Sequence, residues 1–203
     1  MKKYIVLILS IPILTSCSYF LLKKMKVTNP KLETVSSIKE YLIKKNIQER
    51  KLFFFKDLNS MTTFSNEYKL DIPEAYFFNK EGLLVPYKKT SQECNAHVSD
   101  FINDLSNFKT FPIDSSFSLK KINKLIVDEK NKSTLLDKTN GNITIILSFA
   151  KYLGKINDEH TFNWINLIKK VKKEKNINVD IILLNGDFMT FWNIKEEELP
   201  KIY

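Results

Sequence analysis

Apolar and polar positions along the chain follow two different periods, and the places where the period changes divide it into elements. The first pattern belongs to neither period. Lys2 and Lys3 precede an almost unbroken apolar run from Tyr4 to Leu14, interrupted only by Ser10 and Pro12. A run of about 11 residues falls short of the roughly 20 that cross hydrocarbon as a helix, so residues 1–16 are predicted to be a secretory signal rather than a permanent span. Residues 17–34, lysine-bearing and containing Pro30, read as a tether. Ile38, Leu42 and Ile43 then recur at helical spacing to about Asn46, with Ser36 or Ser37 placed to cap the helix. Leu52-Phe53-Phe54-Phe55 is a buried-strand run, and a short helix is predicted from Ser60 to Lys69.

Residues 71–88 carry two β-rich runs flanking Asn79-Lys80-Glu81-Gly82, whose glycine suits a tight connection. They predict a hairpin, with Pro86 placing its second strand near an edge or a bulge. A helix is expected next, capped by Thr90 or Ser91 and running through Cys94, Val98, Phe101, Ile102 and Leu105. Residues 107–140 read as a connector with one short helix over Leu119 to Val127. The final third predicts a strand at Ile143 to Ala150, a helix at Thr161 to Lys175, a strand at Val179 to Asn185, and a short terminal helix ended by Pro200. Strand, helix, strand is a parallel βαβ unit. The expectation is a single α/β domain over residues 35–203, a mixed sheet of about five strands flanked by helices.

Charge and composition narrow what such a domain does. The net charge of +9 falls to +7 without Lys2 and Lys3, because residues 1–16 hold no acid. Arg50 is the only arginine and the lysines are spread along the whole chain, which argues against a nucleic-acid partner, since groove readers and phosphate clamps use the arginine fork. Four glycines, at 82, 141, 154 and 186, exclude phosphate-cradling glycine loops. The two cysteines, Cys17 and Cys94, leave no intrachain pair if one of them is modified.

Leu14-Thr15-Ser16-Cys17 resembles the lipobox of bacterial lipoproteins. That resemblance implies cleavage before Cys17, lipid on its sulfur, and a membrane partner reached through the N-terminal lipid. Two or three acyl chains hold a protein where one does not. No acid follows the cysteine between Ser18 and Lys26, whereas acidic residues there resemble a surface-export signal in some lipoproteins. A domain facing the periplasm is therefore expected.

Two blocks resemble the thioredoxin-like fold. Ile72-Pro73 before the hairpin looks like the segment where that family has a cis-proline, so Pro73 is the candidate cis residue. Residues 143–185 look like its opening βαβ unit, with Phe149-Ala150-Lys151-Tyr152-Leu153-Gly154-Lys155 where the first strand enters the active-site turn. The blocks stand in reversed order, as a permuted or duplicated arrangement would have them. Leu153 to His160 holds no cysteine, and exchange needs a thiolate and a resolving thiol. The resemblance implies a redox-inactive domain acting as a binding or assembly module, with an envelope protein as partner.

Candidate chemistry is sparse. Cys94 and His97 form a Cys-x-x-His pair at an expected helix start, which favours a thiolate and allows an alternative reading as a single-cysteine thiol enzyme or redox sensor; the plainer reading is a small buried residue beside Val98 and Phe101. His160 is too far in sequence from Cys94 and His97 to suggest zinc, and no metal or cofactor is expected. Asp57 and Asp187 each follow a strand, where α/β folds place functional groups and where turn-starting or capping aspartates also sit. Phe191 and Trp192 are either a partner patch or a tail packed on the core.

Overall fold

The computed structural model of the chain describes residues 20–49, 51–68, 71–88, 90, 93–133 and 142–202. The expected signal, Cys17 and the lipobox lie outside the described residues. Among the described residues seven strands form one mixed sheet rather than the about five expected: β1 (Leu52–Phe55), β2 (Ala75–Phe78), β3 (Leu83–Leu84), β4 (Asp114–Ser118), β5 (Ile126–Val127), β6 (Ile143–Phe149) and β7 (Val179–Asn185), in the order β4-β3-β2-β6-β7-β1-β5. The surplus comes from the stretch expected to be a connector, which supplies an edge strand at each side. Those strands escape a pattern search because β5 has two residues and β4 exposes Ser115 and Ser116.

β6 and β7 run parallel in register from Ile143 opposite Val179 to Phe149 opposite Asn185, and β1 runs parallel to β7. β2 lies antiparallel to β6, pairing Ala75 with Leu147. The hairpin therefore sits beside the βαβ unit although it precedes it in the chain. All of β1, β2 and β6 is buried, as both-face coverage requires. Gly82 takes φ +74° in the hairpin turn, and the ladder between β3 and β4 shifts register at Leu83 and Leu84, just before Pro86.

One sheet face meets α1 (Val35–Lys44), where Tyr41 stacks on Phe149 at 6.5 Å, and α3 (Val98–Asn103), where Phe101 meets Phe77 at 4.7 Å. On that same side α4 (Asn163–Glu174) packs against α3 and buries Trp164, Ile165, Ile168 and Val171. The other face meets α2 (Leu58–Tyr68), whose Phe64 touches Phe55, Tyr76 and Phe117.

Several boundaries differ from expectation for local reasons. Thr34, not Ser36 or Ser37, caps α1, because Thr34 and Ser37 exchange reciprocal side-chain bonds. Ile43 is 69% exposed, so the buried stripe is Ile38 and Leu42 alone. The helix expected through Cys94 is a three-residue turn, Asn95–His97, leading into α3 and a further 3-10 stretch, Leu105–Thr110. The terminal helix is replaced by two 3-10 turns, Thr190–Trp192 and Glu196–Glu198.

Candidate functional site

In α/β sheets the loops beyond the carboxyl ends of parallel strands are where ligands bind. Here those ends belong to β1, β6 and β7, and the loop entering β2 joins them because β2 runs the other way. The Ile72–Pro73 peptide in that loop is cis. The loop lies close over the end of β7, since a Cβ on Gly186 would come within 2.1 Å of Ile72 Cδ1. Two buried carboxylates, Asp187 and Glu74, stand at this end, each at 2% exposure or less.

Asp187 is held from the far side of the chain. Its Oδ2 accepts from the Lys151 backbone N–H at 2.7 Å and from Asn185 Nδ2 at 2.7 Å. It thereby caps the turn Lys151–Leu153 that follows β6, a role in which the capped element and the cap come from different strands. Burial pushes the Asp187 carboxyl up to about 6, while the bonds from Lys151 and Asn185 pull the other way. A carboxyl near neutrality suits proton transfer, and here it lies 1% exposed. Asn157, wholly buried, accepts from the Ala150 N–H at 3.3 Å and donates to the Tyr41 hydroxyl at 3.0 Å, closing the turn from beneath.

A π-helical turn, Asp158–Phe162, follows before α4, and its Thr161 hydroxyl donates to Ser148 O at 2.8 Å. Such turns widen a helix and often mark sites. Here, however, the space above them is taken by the segment expected to be a tether. Lys155 N–H donates to Met25 O at 2.7 Å, and Thr28 N–H to Tyr152 O at 2.8 Å. Further on, Glu33 N–H donates to Phe188 O at 2.8 Å, and Thr190 N–H returns a bond to Glu33 O at 2.9 Å. The Glu33 side chain, 5% exposed, accepts from Lys151 Nζ at 2.8 Å and from Ser37. Residues 25–33 are thus a strap across the end of the sheet. Gly154 permits it: its φ is +56°, and any Cβ there would stand 2.2 Å from Lys26 O.

Glu74 is arranged differently. Its carboxylate accepts from the Tyr87 hydroxyl and Lys88 Nζ, and from its neighbour Ala75 N–H at 2.9 Å. Ser148 Oγ accepts from Glu74 N–H at 2.7 Å, tying the two ends of the sheet's central strands together. Burial and the adjacent Glu74 hold the Tyr87 hydroxyl far above the ordinary phenol range, so it remains a donor. Beside this group opens a cleft of about 400 Å³ walled by Tyr68, Tyr76, Leu84, Val85, Pro86 and Phe117, with Asp71 and Asp114 at its margin. Tyr68 and Phe117 stack at 4.1 Å to form one wall. Apolar walls with few oriented polar groups are what ligand sites offer. Both Glu74 oxygens already accept bonds from within the chain.

The residues singled out from sequence are scattered. Cys94 is exposed, not buried beside Val98 and Phe101, because the turn it precedes carries it clear of α3. A three-residue turn offers no helix dipole, and among the described residues Cys94 and His97 share no hydrogen bond; the His97 ring lies 3.6 Å from Asp100. Asp57 Oδ1 accepts from Ser60 N–H at 2.6 Å and caps α2. His160 packs on Trp164 at 5.5 Å between ring centroids. Trp192 is 8% exposed and donates to Phe55 O at 3.0 Å, so the tail is core, not partner patch. Among the described residues no three His, Cys, Asp or Glu side chains cluster closely enough to hold a metal ion.

Sequence reasoning found Asp187 but missed Glu33, Glu74, Lys88, Tyr87 and Asn157. One signal was available for Glu74, a lone acid between Pro73 and the apolar Ala75–Phe78. Nothing in the sequence pairs Glu33 with Lys151, which stand 118 positions apart. Against this geometry, no protein-family model, curated protein or solved structure matches the chain.

Proposed function

We propose that the chain is a membrane-anchored envelope lipoprotein facing the periplasm, whose α/β domain is a redox-inactive, permuted thioredoxin-like module that binds or assembles rather than catalyses. The observation that carries this reading is the turn after β6. In the position where the resembled family keeps its thiol pair, residues 150–160 contain no cysteine. The polar groups there are instead consumed by one another, with Asp187 capping the turn and Glu33 bonded to Lys151. The side-by-side placement of the βαβ unit and the hairpin entered through Pro73 supports the thioredoxin-like assignment. The cleft beside Glu74 supplies a place for a ligand or for a side chain of an envelope protein.

A second reading draws on the exposure of Cys94, which leaves its thiol open to an external disulfide or oxidant. It makes the protein a single-cysteine thiol enzyme or redox sensor. Intact mass of the membrane-extracted protein, with and without thiol alkylation, separates the two. Cleavage before Cys17 with two or three acyl chains and one alkylatable thiol is the expected result. An unlipidated mass overturns the anchor, and a mixed disulfide on Cys94 favours the second reading.

A further inference from the structure

The strap has a consequence for how the domain meets a membrane. It begins in a helical turn at 20–24, where Met25 N–H bonds back to Leu21 O at 2.9 Å, and Val27 N–H to Leu22 O at 3.0 Å. Phe20 is 70% and Leu21 58% exposed, the one adjacent pair of large apolar side chains left in solvent among the described residues. Lys23, Lys24 and Lys26 follow, all exposed, with Lys155 exposed on the turn that the strap crosses. Residues 20–32 contain four lysines and no acid. Two apolar side chains next to a cluster of ammonium groups match the interface of an anionic bilayer, with acyl-chain boundary below and phosphate head groups above.

We propose that residues 20–26, together with Lys155, form a docking face that lays the carboxyl end of the sheet against a bilayer bearing anionic head groups, in one fixed orientation. This rests on the lipid anchor at Cys17. Phe20 is the third residue after that cysteine, a reach of about 10 Å, so the turn cannot leave the bilayer surface by more than about a Debye length. From Met25 onward the chain is bonded to the domain through Lys155, Tyr152, Phe188 and Thr190. Orientation is therefore transmitted from the turn to the sheet through backbone hydrogen bonds. The lysines at the C-terminal end of α4 point the contrast, because Lys172 Nζ bonds to Val179 O at the start of β7, the opposite end of the sheet. Lys173 lies ten residues along α4 from Asn163, which puts it roughly 15 Å further from the membrane, beyond the reach of head-group charge.

The test is lysine acylation by a water-soluble reagent, read by mass spectrometry on the full lipidated protein. It compares vesicles of phosphatidylcholine containing phosphatidylglycerol with the same protein in neutral detergent. On the vesicles, Lys23, Lys24, Lys26 and Lys155 are expected to react about fivefold more slowly, the factor equivalent to about 1 kcal/mol per lysine at an anionic surface, while Lys173 is unchanged. Protein that sediments with the vesicles but shows the same reactivity at all five lysines overturns the docking face and leaves the anchor standing. Protein that does not sediment with the vesicles overturns the anchor and the docking face with it.

Discussion

Two buried carboxylates at one end of one sheet are treated in opposite ways. Among the described residues no cation is bonded to Asp187, which accepts from the Lys151 N–H and the Asn185 amide, so burial wins and its carboxyl rises to about 6. Glu74 is as deeply buried, yet it is matched by the Lys88 ammonium and the Tyr87 hydroxyl. Around Asp187 the chain has closed over itself with the strap; beside Glu74 it has left a cleft. In this pair, the acid that accepts from the distant Lys151 N–H fixes the course of a loop, and the acid that accepts from Tyr87 and Lys88 borders the cleft. Depth of burial alone does not tell these apart. The identity of the donors does.

The contrast can be broken most forcefully at the strap. Replacing Gly154 by valine combines a positive φ with a Cβ driven into Lys26 O, and is expected to cost about 4 kcal/mol in urea denaturation, with faster amide exchange at Thr28 and Lys155. A neutral result would mean that the strap is not packed on this turn. At the open end, Lys88→Met leaves Glu74 buried without its cation. It should cost about 2 to 3 kcal/mol, below the value for a fully buried pair because Lys88 remains 21% exposed. Adding Glu74→Gln should recover most of that loss, as a coupled pair requires; independent, additive costs would show that Glu74 and Lys88 do not act together.

The smallest effect is in pH dependence. Asp187 has a raised folded-state value, so its contribution is fully present below its ordinary value near 3.8 and is lost as pH rises through about 6. Relative to Asp187→Asn, the protein should gain on the order of 1 kcal/mol of stability between pH 7 and pH 5. Parallel pH profiles for the two proteins would mean that the carboxyl is not desolvated as its surroundings indicate.

Much of the sheet was legible in advance. β1 and β7 coincide with their apolar runs, and β6 ends one residue early, because both-face burial writes a continuous hydrophobic word into the sequence. The hairpin was legible from Asn79 to Gly82, where turn chemistry is local. The edge strands β4 and β5 were not, since two-residue or half-exposed strands carry too little pattern to stand out. Of the site, Asp187 was visible by position and its capping role was among the readings open to it; the capped turn lies 36 positions away. The amphipathic pattern around Cys94 predicts a helix where the chain forms a short turn, in which Asn95 Nδ2 donates to Pro73 O at 2.8 Å.

The sequence by itself determined where the chain is apolar on both sides, where it turns, that Leu153 to His160 offers no thiol, and that the stretch after Cys17 is basic. These are properties of neighbouring residues, and local chemistry suffices for them. Only the tertiary structure decided that the hairpin lies against β6, that residues 25–33 strap the end of the sheet, and which buried carboxylate meets a cation. Each of those joins positions far apart in the chain, and the closure of such contacts is selected by the packing of the whole core, not by any segment's own preference.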